Sequence, residues 1–273
     1  MKVEVYGGNH SPWVQAVLLA LHDKQIDHEL RPLPPFATFR KWGVFMPVVS
    51  VNGAPWEKES SDILVTIGYP PIASQDLQAV RDAWRGVLHR VDHPLRFFSG
   101  FARTAHTSSS TFTGLLQDAL RSFIPFYMFT LINVAKVRIR PPRPDDYGDQ
   151  YLYWENELQS LATPFLDGEA PGSKDLLLFG IVQCHSSIPG PPLAPLQDDD
   201  RLSALRQWIG RMHERFSGYS HLYSGSYFEP RKSAPQPAGF AQRLAFYVGL
   251  LGMFTALPLT LPLVLYLMRK APR

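Results

Sequence analysis

Cysteine is almost absent from this chain: Cys184 is the only one in 273 residues. One thiol cannot close an intramolecular disulfide, form a Cys-x-x-Cys redox pair or build a cysteine-rich zinc site. A reducing compartment is therefore permitted. Charge is also sparse, at 19% of residues, and the net charge is only +3. So small an excess does not point to nucleic acid, and none is expected as a partner. The opening stretch, MKVEVYGGNHSPWV, has no apolar core of signal-peptide length, so the soluble part is expected in the cytoplasm. No internal repeat is visible. A hydrophobic content of 45% excludes an intrinsically disordered chain. Proline, by contrast, is abundant. The 25 prolines exceed the usual share of about 5% and fall in clusters, which excludes collagen and marks loops and helix starts. The length allows one large domain or two small ones at roughly 100–200 residues each.

The mean hydropathy of −0.11 hides one extreme. Residues 244–268 read LAFYVGLLGMFTALPLTLPLVLYLM, with no charge, between Arg243 and the pair Arg269 and Lys270. A straight helix of that length, at about 1.5 Å per residue, spans the roughly 30 Å hydrocarbon core. A single transmembrane helix serving as a tail anchor is expected, with a buried core helix as the other reading. Pro258 and Pro262 are compatible with a membrane helix. Ala245, Gly249, Gly252 and Ala256 fall on one face and would suit a homodimer seam, although Gly and Ala are also simply common in membrane helices.

Residues 3–6 predict a strand, ended by Gly7-Gly8. Ser11-Pro12 suits a helix start, and Val14, Val17, Leu18 and Leu21 give that helix an apolar face. A second strand is expected over 26–31, a third over 46–51, a hairpin turn at Asn52-Gly53, a return strand over 54–56 and a helix over 60–67. This βαβ-ββα order fits one small mixed sheet. Beyond Ile72 the periodicity is helical. Apolar stripes run along 77–91, 115–137 and 151–161, and a short apolar helix over 175–183 reads as buried. Leu202, Leu205, Trp208, Ile209, Met212 and Phe216 stripe a further helix. Residues 104–113 and 188–195 read as loops, and 231–239 as a linker. The expected organisation is a domain over 1–70, a helical domain over 73–229, a linker over 230–243 and the membrane helix over 244–268.

With that order in place, the chain resembles the cytosolic-type glutathione transferases. VYGG, then SPWVQAVLLALHDKQIDHEL, MPVVSV and KESSDIL follow the strand, helix, cis-proline strand and Glu-Ser-x-x-Ile helix start of that family. LDGEAPGSKDLLLF resembles its buried helix, with Gly172 where the family has a capping threonine and Asp175 kept. The resemblance implies a thioredoxin-like α/β N-terminal domain and an all-α C-terminal domain. The added anchor is similar to that of membrane-tethered relatives, the ganglioside-induced differentiation-associated type and the metaxins.

The resemblance also implies a glutathione site, with glutathione as co-substrate. Ser11, at a helix N-terminus, would hydrogen-bond to the thiolate and lower its pKa; as a plain N-cap it would do only structural work. Tyr6, at the end of the first strand, is the second candidate hydroxyl. Pro47 would be cis and turn Val48 toward the cysteinyl part of the tripeptide. Glu59 and Ser60 would hold the γ-glutamyl end, or act as a capping motif, or both. Lys41 is a candidate partner for the glycyl carboxylate. The implied activity is conjugation of glutathione to an electrophile or reduction of a peroxide. The alternative is a non-catalytic adaptor of the same fold that binds a protein partner at a membrane. A third reading is a soluble enzyme whose apolar tail packs on another subunit. No metal is expected: His89 and His93 stand at i,i+4 without a third ligand. Lys136, Arg138, Arg140 and Arg143 suit either anionic headgroups or solvent. Cys184 reads as a small buried hydrophobe.

Overall fold

The computed structural model describes residues 2–9, 11–31, 33–85, 112, 114, 119, 122–139, 146–187, 192–228 and 240–271. Strands β1 (Val3–Tyr6), β2 (His28–Arg31), β3 (Val48–Val51) and β4 (Glu57–Lys58) form one sheet in the order β2-β1-β3-β4. β1 runs parallel to β2, which requires a crossover, supplied by α1 (Pro12–Asp23). β3 is antiparallel to both β1 and β4. With α2 (Phe36–Trp42) before β3 and α3 (Ser60–Thr66) after β4, this is the thioredoxin-like arrangement that the resemblance implies.

Two local expectations shift. Asn52 and Gly53 both have positive φ, 53° and 76°, as a hairpin turn demands. The return strand nevertheless pairs at Glu57–Lys58 rather than over 54–56, because Pro55 has no N–H to give to the ladder. α2 is not visible in the sequence pattern. Its one buried residue is Thr38, whose hydroxyl bonds to the Pro35 carbonyl, and Phe36 is 79% exposed. No apolar face repeats there.

α4 (Ser74–Arg85) opens the helical half. Its predicted face continues into residues 87–91, which lie outside the described residues, as do His89, His93, Arg140, Arg143, the 104–111 loop and the 231–239 linker. Then come α5 (Phe123–Ile139), α6 (Leu152–Ser160), α7 (Ser173–Ser187), α8 (Leu193–Asp198) and α9 (Ser203–Arg215). α8 falls where a loop is expected; Pro195 sits in its first turn, where a missing N–H is harmless, and Leu193 and Leu196 are buried. The α9 stripe is buried throughout, from Leu202 to Phe216.

The chain divides into two compact units. The first takes Met1–Arg40, Phe45–Val87 and Pro144–Ala234; the second takes Lys41–Val44, Leu88–Arg143 and Pro235–Arg273. In the first, α7 is the centre: Leu176, Leu177, Leu178, Phe179, Ile181 and Val182 have no exposure, as a helix apolar all round must.

The expected single membrane helix is corrected. The run folds as α10 (Phe240–Thr255) and α11 (Leu257–Lys270), which meet at an angle of 92°. Among the described residues no single helix is long and apolar enough to cross a membrane; the pair passes on length and composition together. Pro258 is the physical cause. It has no N–H for the Phe254 carbonyl, and its ring collides with that carbonyl in a continuous helix. Ala256 leaves helical geometry (φ −90°, ψ 24°) and caps α11 instead. The expected small-residue seam is also divided. A Cβ on Gly249 would lie 2.5 Å from the Ala119 carbonyl oxygen and 2.6 Å from Ser122 Oγ, so this face packs within the chain, while Gly252 faces open space.

The start of α7 shows how the missing threonine cap is replaced. Asp175 accepts the N–H groups of Leu166 (2.9 Å), Asp167 (3.1 Å) and Gly172 (3.0 Å) and the Trp208 indole N–H (2.8 Å). Burial pushes its carboxyl up, and these donors pull it back. The Lys174 N–H, which a capping threonine would take, goes to Asp167 Oδ2 at 2.8 Å. A Cβ on Gly172 would be 2.4 Å from the Asp167 side chain, so Asp167 and a residue-172 side chain exclude each other. Gly172→Thr is therefore expected to destabilise by about 1–3 kcal/mol. Adding Asp167→Gly removes the Cβ together with the carboxylate and lets the threonine hydroxyl take the Lys174 N–H, so the double variant should recover most of the loss. Urea denaturation of the four-member cycle measures the coupling; strictly additive effects would refute the exchange.

Candidate functional site

The sheet register gathers the sequence-predicted residues. Tyr6 stands opposite Arg31 on one side and Val48 on the other, and Val48 opposite Lys58. Beyond that row the chain leaves the sheet in the 7–11 loop, the 46–47 segment and the 59–60 turn. Ser11, Pro47, Val48, Glu59 and Ser60 therefore share one end of the sheet, where α1 and α3 both begin.

The local conformations follow from the residues. A Cβ on Gly7 would come within 2.4 Å of Val14 Cγ2, so glycine is needed for the turn into α1. The Gly8 N–H points to Met46 Sδ at 3.3 Å, linking the first loop to the proline loop. Ser11 occupies the N-cap position of α1 (φ −73°, ψ 132°), but its hydroxyl makes no capping bond. The N–H groups of Trp13 and Val14 are left at that end without intrahelical acceptors. The Met46–Pro47 peptide is cis. Tyr6 and Val48 are buried. Glu59 holds φ 70°, ψ 115°, a left-handed conformation rarely adopted outside glycine and costing about 1–3 kcal/mol. Its carboxylate lies 3.9 Å from the Lys58 ammonium. Ser60 is buried in the first turn of α3. Lys41 belongs to the second unit, with its ammonium 4.5 Å from the centre of the Trp42 ring. Among the described residues no three His, Cys, Asp or Glu side chains cluster to hold a metal.

Behind the first loop lies a polar network that sequence reasoning misses. The Gln15 side-chain amide donates to the Asn9 carbonyl. Asn9 Nδ2 is 3.3 Å from His221 Nδ1. Gln15 Oε1 accepts from the Tyr219 hydroxyl (3.2 Å) and the Gln183 amide (3.3 Å). Gln183 also donates to the His221 carbonyl and accepts from the Ser224 N–H and hydroxyl. His213 Nε2 closes the chain on Ser224 Oγ at 2.7 Å. Bonded partners in it are up to 212 positions apart, and no short motif marks them. The only available signal was polar residues inside apolar helices, Gln15 and Gln183. Burial holds the His213 imidazole down, to about 4, and burial and then His28 hold His221 down. A cavity of about 270 Å³ lined by Phe165, Arg211, Glu214 and Arg215 lies elsewhere, since Arg215 pairs with Asp23 at the far end of α1.

No family model matches the chain, and no curated protein matches its sequence. Solved structures do show likeness. Glutaredoxin 2 from Salmonella typhimurium in complex with glutathione has TM-score 0.47 and 16% identity, covering 82% of this chain and 97% of that one. Human glutathione S-transferase T1-1 in its apo form has TM-score 0.44 and 15% identity, covering 92% and 98%. The theta class glutathione S-transferase of Xanthomonas axonopodis pv. citri, with glutathione bound, has TM-score 0.43 and 15% identity, covering 81% and 96%.

His213 generates a pH dependence. Its folded value, about 4, lies below the unfolded value near 6.5. Between these values the unfolded chain binds the extra proton, so stability is full above about pH 6.5 and falls as pH drops toward 4. The expected loss is at most about 3 kcal/mol. His213→Gln should flatten that slope in denaturation curves taken across the window. An unchanged slope would assign the acid sensitivity to other groups.

Proposed function

We propose that this end of the sheet is a glutathione site and that the protein is a glutathione-transferase-like enzyme. The observation that carries the proposal is the shared row Tyr6–Val48–Lys58, beyond which the chain leaves the sheet toward Ser11, Pro47 and the Glu59–Ser60 turn. A tripeptide thiol needs three things there. Its thiolate needs a donor and a favourable field; the uncapped Ser11 hydroxyl and the N-terminus of α1 supply both. Its extended cysteinyl backbone needs free backbone groups to pair with, a role given to the cis-Pro47–Val48 segment where the chain enters β3. Its γ-glutamyl end needs an acceptor for the amine and donors for the carboxylate, roles taken by Glu59 and by Ser60. The strained backbone at Glu59 is of the kind retained at functional positions. The activated thiolate then attacks an electrophile or reduces a peroxide.

The same proposal places the chain on a membrane through its apolar C-terminal pair, with the first unit in the cytoplasm. Arg243 at one end and Arg269 and Lys270 at the other support it, together with the absence of charge between them.

Ser11→Ala tests the site. A hydrogen bond to a charged group contributes about 1.5–3 kcal/mol, so turnover with a model electrophile should drop about 10- to 100-fold. Glutathione affinity at a pH where the bound thiol is neutral in both forms should change little. Tyr6→Phe should leave turnover near wild type. Equal turnover in Ser11→Ala and wild type would move the activating role to Tyr6. Absence of glutathione binding by calorimetry would favour the adaptor instead.

A further inference from the structure

The apolar pair has a geometry that a spanning helix lacks. α10 and α11 change direction by 92° at Ala256. From Arg243 to Thr255 and from Leu257 to Lys270 each arm measures about 20 Å, short of the roughly 30 Å hydrocarbon core. The fixed charges stand at the two far ends, Arg243 on one arm and Arg269 and Lys270 on the other. With the elbow pointing into a bilayer and each arm inclined at about 45°, the elbow lies about 14 Å below those ends, close to half the core thickness. Both basic ends then meet the same headgroup layer. A straight helix would send them to opposite faces.

The side chains fit that depth profile. Around the elbow Leu251, Phe254, Leu257 and Leu259 are exposed at 63, 47, 40 and 77%. Tyr247 and Tyr266 stand one turn in from the basic ends, the level at which tyrosine suits an interface. The Lys270 ammonium lies 4.9 Å from the Tyr266 ring centre. The elbow also closes its own backbone. The Met253 carbonyl accepts the Thr260 hydroxyl at 2.8 Å, and the Thr255 hydroxyl reaches the Gly252 carbonyl at 3.1 Å. The Ala256 carbonyl takes the N–H groups of Leu259 and Thr260, both at 2.9 Å. Backbone groups in hydrocarbon must be satisfied internally, so these bonds equip a broken helix for lipid.

Building on the membrane tether proposed above, we propose that α10 and α11 form a re-entrant elbow. It dips into one leaflet of a bilayer bearing anionic lipid and returns the C-terminal end to the cytoplasmic side. The basic ends complement anionic headgroups on that single face.

Thiol accessibility in sealed membranes tests it on the full chain. Ala271→Cys places a reporter past α11, and Ser217→Cys places one on an exposed position of the first unit. The unsubstituted chain, with Cys184 buried, serves as the blank. Inverted vesicles from expressing cells, cytoplasmic face outward, are treated with a membrane-impermeant maleimide. The expected result is a chain that resists alkaline carbonate, with both reporters labelled equally before detergent. If the thiol at 271 reacts only after detergent, with a rise of about tenfold while that at 217 does not change, the elbow is wrong and the tether stands as a single pass. Release by carbonate overturns elbow and tether together and favours a protein partner covering the apolar arms.

Discussion

The first unit depends on how closely two helices approach. α1 and α7 cross where Gly180 faces the Pro12 carbonyl, and a Cβ there would stand 2.3 Å from that oxygen and 3.3 Å from the Ala16 N–H nitrogen. No other side chain fits. On the α1 side Ala16, one turn on from Pro12, has no exposure. Pro12 is the first residue of α1, so this contact also fixes the position of Ser11. Any displacement of α7 would move the end of the helix that carries the candidate hydroxyl. The scaffold and the site thus share one steric constraint, and density of packing makes such a constraint unforgiving.

Buried carboxylates extend the same frame. Asp175 and Glu155 are 0% and 2% exposed, where an unpaired charge would be costly. Both solve the problem at a helix N-terminus, where donors are in surplus and the field favours negative charge. Asp175 closes the start of its own helix, α7, and pins Trp208 of α9. Glu155 of α6 accepts the Ala204 and Leu205 N–H groups at the start of α9 (3.0 and 2.8 Å) and the Gln159 amide (2.7 Å). α6, α7 and α9 are therefore tied by charge-assisted bonds whose direction sets helix orientation, while the apolar stripe of α9 supplies the burial.

Features written in local periodicity were legible in the sequence. The α9 stripe is buried as its spacing implies, the Asn52-Gly53 turn has the two positive φ values its residues suit, and the strand order matches the pattern of β and α segments. Features that depend on one backbone N–H or on distant partners were not. Pro55 moved a strand by removing a donor, and Pro258 broke a run whose composition alone reads as one continuous helix. α2 has no apolar face to betray it, since its role is to carry the chain from β2 to β3. Of the site, residue order located the loops, but the φ of 70° at Glu59 and the unspent Ser11 hydroxyl belong to three-dimensional geometry.

The network behind the first loop ties α1, α7 and the segment after α9 to the candidate site. Asn9 is two residues from Ser11, and its carbonyl and side chain are held by Gln15 and His221. Gln15 belongs to α1, Gln183 to α7, and Tyr219, His221 and Ser224 to the segment after α9. The loop that presents Ser11 is thus supported by residues from three separate parts of the sequence. Each bond in isolation contributes only about 0.5–1.5 kcal/mol, but a buried group left unpaired costs about 1–3. Losing one member therefore releases the loop and penalises the core at once. Such a network specifies one loop conformation more sharply than apolar packing can, because its members accept partners only along fixed directions. This end of the sheet owes its loop geometry to residues far from it in the sequence.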